Sequence, residues 1–228
     1  MPRMVQRVIQ SFLLLLVAFP MSAQQTIDRV VVVVNGRVIT QNDWDAQERF
    51  EALAEGRPPG EVQHSPAALE RLIDRVLLLQ QMAELNFRPP APELIQQEVE
   101  SVKKQLPRAQ TANDEAWRRT LAEYGIPDED FEMMITDQAN VMRFIEVRFR
   151  SNTRIAPFEI DNYYRDSFVP DFRKASPGQP PPLKQVQDRI QQILIEQRVT
   201  EGLNSLIQSL RAQAVIRRVE PISARAVK

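Results

Sequence analysis

Residues 27–40 read IDRVVVVVNGRVIT, and this stretch decides the architecture that the sequence predicts. Its five consecutive valines favour an extended backbone, because β-branched side chains fit a pleated sheet better than a helix. Asn35 and Gly36 lie between two apolar runs and tolerate the positive φ angles that a tight hairpin turn requires. A lone hairpin is marginal in water, so another segment must cover or extend it. The other strand-like segment is residues 214–219, AVIRRV.

Between these two segments the spacing of apolar residues is helical. The sequence therefore predicts a mainly α protein: a multi-helix core with a small antiparallel sheet formed by an N-terminal hairpin and the C-terminal strand. Thr40 and Asp43 predict a capping box that begins the first helix. Ser65 and Pro66 predict the start of a second helix. Apolar residues surround most of that helix, so we expect it at the centre of the core.

Three further helices carry specific expectations. Thr111 and Asp114 predict the N-terminal cap of a helix that stops at Gly125. A long helix is predicted from residue 128 to about residue 150, and a last one from about residue 183 to residue 213. The expected core face of the long helix consists of Phe131, Ile135, Met142, Ile145 and Phe149.

The first 23 residues have the pattern of a secretory signal peptide. Arg3 and Arg7 precede an apolar stretch over residues 8–19, and we expect cleavage after Ala23. The alternative is an uncleaved membrane anchor, although the stretch is short for a transmembrane helix. No later apolar run is long enough to span a bilayer, so we expect a soluble mature protein without stable membrane insertion.

Composition excludes several kinds of chemistry. The chain has 29 basic and 30 acidic residues, and a net charge of −1 gives no electrostatic reason to expect nucleic acid or anionic lipid as a partner. It has no cysteine, which excludes disulfides, thiolate metal sites and cysteine nucleophiles. The one histidine, His64, falls in a predicted surface loop without neighbouring ligands, so we expect no metal site. We predict no cofactor and no catalytic residue.

Taken together and in this order, five stretches resemble the N-terminal core of the SurA-type periplasmic chaperones. They are residues 27–40, 69–74 (LERLID), 117–126 (WRRTLAEYGI), 155–164 (IAPFEIDNYY) and 210–216 (LRAQAVI). The resemblance implies a helical chaperone core, completed by the last helix and strand, that binds unfolded polypeptides in the periplasm. It covers nearly the whole chain that follows the predicted leader.

The sequence departs from this family's pattern at one place. Members often carry a parvulin prolyl isomerase domain, whose site the resemblance associates with two histidines and a Cys or Asp. Here the corresponding slot holds only residues 165–182, and the chain has a single histidine. We therefore expect no isomerase activity. The predicted organisation is a signal peptide (1–23), a helical chaperone domain (24–164), a proline-rich linker in place of parvulin (165–182), and a helix and strand that complete the same core (183–228).

Client contact is expected where flexible or aromatic apolar side chains are most concentrated. Methionine and phenylalanine suit clients of varied sequence because their surface adapts or offers large apolar area. The predicted client-binding residues are Phe131, Met133, Met134, Val141 and Phe144 on the long helix, and Phe168 and Phe172 before the linker. Core packing is the alternative for each of them.

The function expected from the sequence is that of a periplasmic holdase. It would bind unfolded envelope proteins, and outer-membrane β-barrels above all, without prolyl isomerase activity. The alternative is a structural adaptor or assembly factor that binds one specific folded envelope partner.

Overall fold

The computed structural model describes residues 28–60, 62–176 and 178–219. The predicted signal peptide and residues 220–228 lie outside the described residues. The described part is mainly helical with one small antiparallel sheet, which confirms the predicted fold class. None of its helices is long and apolar enough to cross a membrane.

The hairpin forms as predicted. Strand β1 (Val30–Val34) pairs antiparallel with β2 (Arg37–Thr40), and Asn35 and Gly36 turn between them with φ angles of 50° and 86°. Strand β3 (Ile216–Arg218) pairs antiparallel with the other edge of β1, so the strand order is β2-β1-β3. The C-terminal segment therefore extends the hairpin instead of only covering it.

The helices divide into a series of short to medium elements followed by one very long one. Their bounds are α1 Gln41–Ala54, α2 Pro66–Glu84, α3 Pro92–Gln105, α4 Arg108–Thr111, α5 Asp114–Tyr124, α6 Asp128–Arg148, α7 Pro157–Tyr163, α8 Val169–Ala175 and α9 Leu183–Gln213. A 3-10 turn, Arg150–Asn152, follows α6, and a π-helical turn, Tyr164–Phe168, joins α7 to α8.

Local capping confirms one sequence expectation and corrects another. Thr40 and Asp43 form a reciprocal capping box at the start of α1, as predicted. The N-cap of α5 is Asn113, whose side chain accepts a hydrogen bond from the Ala116 amide. The predicted cap at Thr111 is wrong because residues 108–111 form the separate short helix α4, which places Thr111 at the end of a helix.

Helix α2 is the centre of the fold, as expected. One apolar cluster joins its N-terminal half to the sheet, and another joins its C-terminal half to α6 and α9. A third cluster lies among α1, α3, α5 and α6. Helix α6 therefore contributes buried side chains to two of these three clusters.

The expected core face of α6 is wrong at Met142, which is 54% exposed, whereas Phe144 is 2% exposed. At about 100° per residue, Met142 lies within about 20° of Phe131 on the helix surface. Phe131 packs in the cluster with α1, α3 and α5, but Phe144 packs against α2 in the other cluster. The buried side of α6 thus changes along its length because its packing partners change.

The segment that follows α7 is more helical than the sequence suggested. The sequence predicts a linker over residues 165–182, yet the π turn and α8 continue the helical path to Ala175. Pro170 cannot donate a helical hydrogen bond, and the π turn before it changes the bonding pattern where a regular helix would be interrupted. Between α8 and α9 the described residues that are not helical are 176 and 178–182.

Candidate functional site

Three of the predicted client-binding residues on α6 belong to the core. Phe131 is 2% exposed, and its ring centroid lies 5.2 Å from that of Trp117. Met134 is buried in the same cluster, and the ring of Phe144 lies 5.4 Å from that of Phe87 in a T-shaped contact. Core packing, the alternative given for these residues, is what the structure shows. A client cannot reach them in this conformation.

The exposed apolar surface of α6 consists of other residues. Met133 is 60% exposed, as a client-binding residue should be, while Met142 and Val147 are 54% and 50% exposed. Met133 and Met142 are nine positions apart and therefore lie on opposite sides of the helix. Each methionine consequently faces a different part of the molecular surface.

Met142 lines an open groove of about 470 Å³ where α1, α2, α6 and α9 meet. The apolar part of its wall is formed by Phe50, Leu78, Val141 and Ile207 in addition to Met142. Val141 is partly buried there, so this predicted residue contributes to the wall of a groove rather than to an exposed ridge. The groove lies between the cluster around α1 and the cluster around α9, where neither fills the space.

Charged groups also line this groove. Glu51 accepts two hydrogen bonds from the guanidinium of Arg71, at 2.7 and 2.6 Å. Burial raises the pKa of Glu51, but hydrogen bonds from Arg71 and Gln47 outweigh it, and the net pKa is lowered. Asp74 pairs with Arg211 at 2.5 Å. These lining carboxylates are therefore matched by cations.

Arg75 differs from these charged neighbours. Its guanidinium donates to the side-chain oxygen of Gln47, and among the described residues it forms no ion pair. Burial lowers the pKa of Arg75 despite the nearby carboxylate of Asp137. Burial also raises the pKa of Asp137. Sequence reasoning misses Arg75 because Glu70, Arg71 and Asp74 precede it on the same helix, so a further charged residue there is not a distinctive signal.

A second candidate surface is a row of aromatic rings along the π turn and α8. The ring of Phe168 lies 5.7 Å from that of Tyr164, nearly parallel, and 6.1 Å from that of Phe172. The three side chains are partly exposed, and the Tyr164 hydroxyl donates to the carbonyl of Pro181 at 2.9 Å. Helix α7 packs against α9, whereas α8 packs chiefly against the turn that precedes it. The row therefore lies on an arm at the edge of the body.

His64 contacts two residues of α1. Its Nε2 lies 2.9 Å from a carboxylate oxygen of Asp45, and its ring makes an edge contact with Trp44. Within the part of the chain that the structure describes, no three His, Asp or Glu side chains are grouped so that they could hold a metal ion.

A model of the SurA-like N-terminal domain family matches residues 3–144, well over half of the chain. The chain belongs to the SurA-like N-terminal domain family. That family is of chaperone type. A search of curated proteins finds no match.

The match to the SurA-like domain ends at Phe144, within α6. The groove is built mainly from matched residues of α1, α2 and α6, with Ile207 of α9 added from outside the match. The aromatic row and β3 also lie outside it. In this chain the sheet of the SurA-like domain is therefore completed by residues that follow the matched region.

Proposed function

We propose that this chain is a holdase-type chaperone that binds unfolded envelope proteins in the periplasm, outer-membrane β-barrels among them, without isomerising prolyl bonds. The observation that carries the proposal is the partly exposed aromatic row Tyr164, Phe168 and Phe172 on an arm of a protein whose family is of chaperone type. Aromatic rings offer large apolar area with few rotatable bonds, so they gain contact area at a modest entropic cost.

The strength of binding expected from such a surface is moderate. An extended client that buries a few hundred Å² of apolar surface gains roughly 5–10 kcal/mol at about 25 cal/mol per Å². Loss of translational freedom and ordering of the client offset much of this, which leaves dissociation constants on the order of micromolar. A chaperone that works without an energy source requires weak binding of this kind, because its clients must dissociate spontaneously.

The residues that would contact clients are those that are both apolar and accessible. On the arm these are Phe168 and Phe172, with Phe158 of α7 nearby in sequence and 65% exposed. On α6 they are Met133 and the groove residues Met142 and Val141. Phe131, Met134 and Phe144 would act indirectly, because they fix the position of α6.

The test is light scattering by a urea-unfolded outer-membrane barrel diluted into buffer with the mature chain that begins after Ala23. We expect near-stoichiometric chain to suppress aggregation, and the double variant F168S/F172S to lose most of the effect with little change in melting temperature. The matched control is L85S/L94S, which removes two exposed leucines away from the arm and should suppress aggregation normally.

The outcomes separate the proposal from its alternative. Aggregation that proceeds unchanged with the unmodified chain would contradict the holdase proposal. A stoichiometric complex with one folded envelope protein, together with that result, would instead identify an adaptor or assembly factor. Equal activity of F168S/F172S and L85S/L94S would remove the aromatic row from the client-binding surface.

A further inference from the structure

The groove between α1, α2, α6 and α9 combines an apolar wall with a cation, Arg75, that forms no ion pair with any residue that the structure describes. The carboxylates on its rim are engaged: Glu51 with Arg71 at 2.6 Å, Asp74 with Arg211 at 2.5 Å, and Glu55 with Arg57 at 2.6 Å. Within residues 28–60, 62–176 and 178–219, Arg75 forms no such pair. The groove therefore has one position where an anion could accept a hydrogen bond from a guanidinium that forms no direct ion pair with a described residue.

Arg75 has acidic neighbours, but it forms no direct ion pair with any of them among the described residues. The acidic groups that influence it are Asp137, Glu51 and Asp43. Glu51 is already held by two hydrogen bonds from Arg71, and Asp43 is held by the capping box at the start of α1. Burial raises the pKa of Asp137 and outweighs the positive charges of Arg75 and Arg37, which lower it, so this carboxyl group ionises less readily than in water. A charge-assisted hydrogen bond to Arg75 remains open to a ligand.

The size of the groove limits what the ligand can be. A volume of about 470 Å³ is at the lower end of the range for sites that take small molecules, so the groove takes one or two residues rather than a long strand. Val141 and Ile207, which are partly buried, and Met142, which is exposed, offer an apolar side chain a place to bind. A ligand that matches both features needs a carboxylate and an apolar group close to each other.

We propose that this groove binds the C-terminal residue of a polypeptide that ends in an apolar side chain, with the terminal carboxylate on Arg75 and the side chain among Val141, Met142 and Ile207. A terminal residue carries its carboxylate and its side chain on the same Cα, so both fit into a small space. An internal Asp or Glu would bring a second flanking peptide group, whose N–H and C=O would lack partners along the apolar wall. The proposal deepens the proposed function, because it adds a chain-end preference to the binding of unfolded polypeptides.

The test is fluorescence anisotropy with pentapeptides labelled at the N-terminus and titrated with the mature chain. The probe Gly-Ser-Gly-Leu-Phe with a free carboxylate should bind at least tenfold more tightly than the same peptide with a C-terminal amide. Two further arms identify other sources of a carboxylate: the amidated peptide Gly-Ser-Leu-Glu-Phe for an internal acid, and laurate as a competitor for a fatty acid. Both the internal-acid peptide and laurate should bind at least tenfold more weakly than the free-acid peptide.

Variants connect this preference to the groove. R75M should remove the difference between acid and amide, whereas R118M, which changes an exposed arginine on α5, should leave it unchanged. M142E places a negative charge on the rim of the groove and should weaken binding of the free-acid peptide at least fivefold. V147E is its matched control, because Val147 is 50% exposed on the same helix and lies outside the lining of the groove. Melting temperatures measured in parallel identify any variant that fails to fold, and M142E tests the groove without altering a buried residue.

Three results would overturn the inference: equal affinity for acid and amide, an R75M protein that keeps the preference, or tighter binding of the internal-acid peptide or laurate. These short peptides do not aggregate, so the assay is independent of the light-scattering test. A chain that suppresses aggregation but shows no acid preference would refute the chain-end site alone. A chain that prefers the free acid but does not suppress aggregation would refute the holdase proposal alone.

Discussion

The ring of Phe149 lies directly against the backbone of α9 at Gly202. A Cβ atom added at Gly202 would be 2.8 Å from Cδ1 of Phe149 and 3.0 Å from its Cε1, closer than side chains tolerate. Phe149 follows α6 and packs with the cluster that joins α2, α6 and α9. A glycine in the middle of a long helix is therefore explained by the close approach of an aromatic ring.

This contact gives a prediction in which two effects have opposite signs. Alanine at position 202 would gain about 1 kcal/mol from helix propensity. Overpacking against Phe149 costs typically 1–3 kcal/mol, so we expect G202A to lower the free energy of unfolding by up to about 2 kcal/mol. Urea unfolding of G202A and of the unmodified chain measures this difference in the free energy of unfolding. In an F149A background the same G202A change should stabilise the protein, and a loss of stability there would contradict the steric explanation.

Asn35 should matter more than a hairpin residue usually does. Its backbone N–H donates to the Val215 carbonyl, its side-chain oxygen accepts from the Val215 amide at 2.8 Å, and its side-chain nitrogen donates to Gln80 at 3.0 Å. We expect N35G, which keeps the positive φ but loses the side-chain bonds, to cost about 1–3 kcal/mol. Thermal unfolding would show this loss as a lower melting temperature of N35G.

Asn86 provides the matched control for Asn35, since it has the same φ of 50°. N86G keeps that backbone conformation without removing a bond to β3, so its melting temperature should change by much less. Similar losses for N35G and N86G would mean that the side-chain bonds to β3 do not stabilise the sheet.

Arg211 ties α9 to α2 through two acidic residues. It donates to Asp74 at 2.5 Å, to the Glu70 carboxylate at 2.7 Å and to the Glu70 carbonyl at 3.2 Å. We expect R211M to lower the free energy of unfolding by about 1–3 kcal/mol at pH 7, because it leaves partly buried carboxylates without a partner. K174M, which breaks an exposed pair with Asp171, should change it by less than about 0.5 kcal/mol.

The same cluster gives a pH dependence. Burial raises the pKa of Glu70, but hydrogen bonds from Arg218 and Arg211 outweigh it, so the folded-state pKa is lowered. Its contribution to stability is therefore fully present above the unfolded-state pKa of about 4.3 and is lost as the pH falls through the lower folded-state value. Melting temperatures between pH 6 and pH 3 should fall less steeply for the double variant R211M/R218M than for the unmodified chain. Parallel curves would contradict this account.

Glu48 caps α2 from a distance. Its carboxylate accepts the backbone N–H groups of Gln63 at 2.8 Å and His64 at 3.1 Å, and also that of Ser65. We expect E48A to destabilise the protein by about 2–4 kcal/mol, since hydrogen bonds to a charged group are among the stronger ones. E55A, which removes an exposed carboxylate about two turns further along at the end of α1, should have a small effect. Hydrogen exchange would show whether the loss is centred on residues 62–66.

Features that depend only on residues close together in the chain could be predicted from the sequence. The Asn35-Gly36 turn, the capping box at Thr40 and Asp43, and the bounds of α9 follow from turn chemistry, short-range hydrogen bonds and breakers close in sequence. The pairing of β3 was predictable for a different reason. Exposed strand edges require a partner, and the chain offered one other strand-like segment.

Features that depend on how helices cross were not predictable. The exposure of Met142 and the burial of Phe144 follow from the change of partners along α6, which its own periodicity does not reveal. The sequence predicts Ser65 as the side-chain cap of α2, but its side chain makes no capping bond, and its backbone N–H instead donates to Glu48 of α1. The groove at Arg75 exists only because four helices leave space there, so no single segment indicates it.

The sheet also determines the order in which the fold can be completed. The central strand β1 receives its second partner from residues that follow it by about 180 positions, and Val219 still donates to Val31 beyond the end of β3. Closing such a long loop is slow, because its entropic cost precedes the contacts that offset it. A chain that emerges N-terminus first must keep one edge of β1 open until its last helix has followed. During that interval the protein itself presents an unpaired strand edge, and so shares the vulnerability of the clients that we propose it protects.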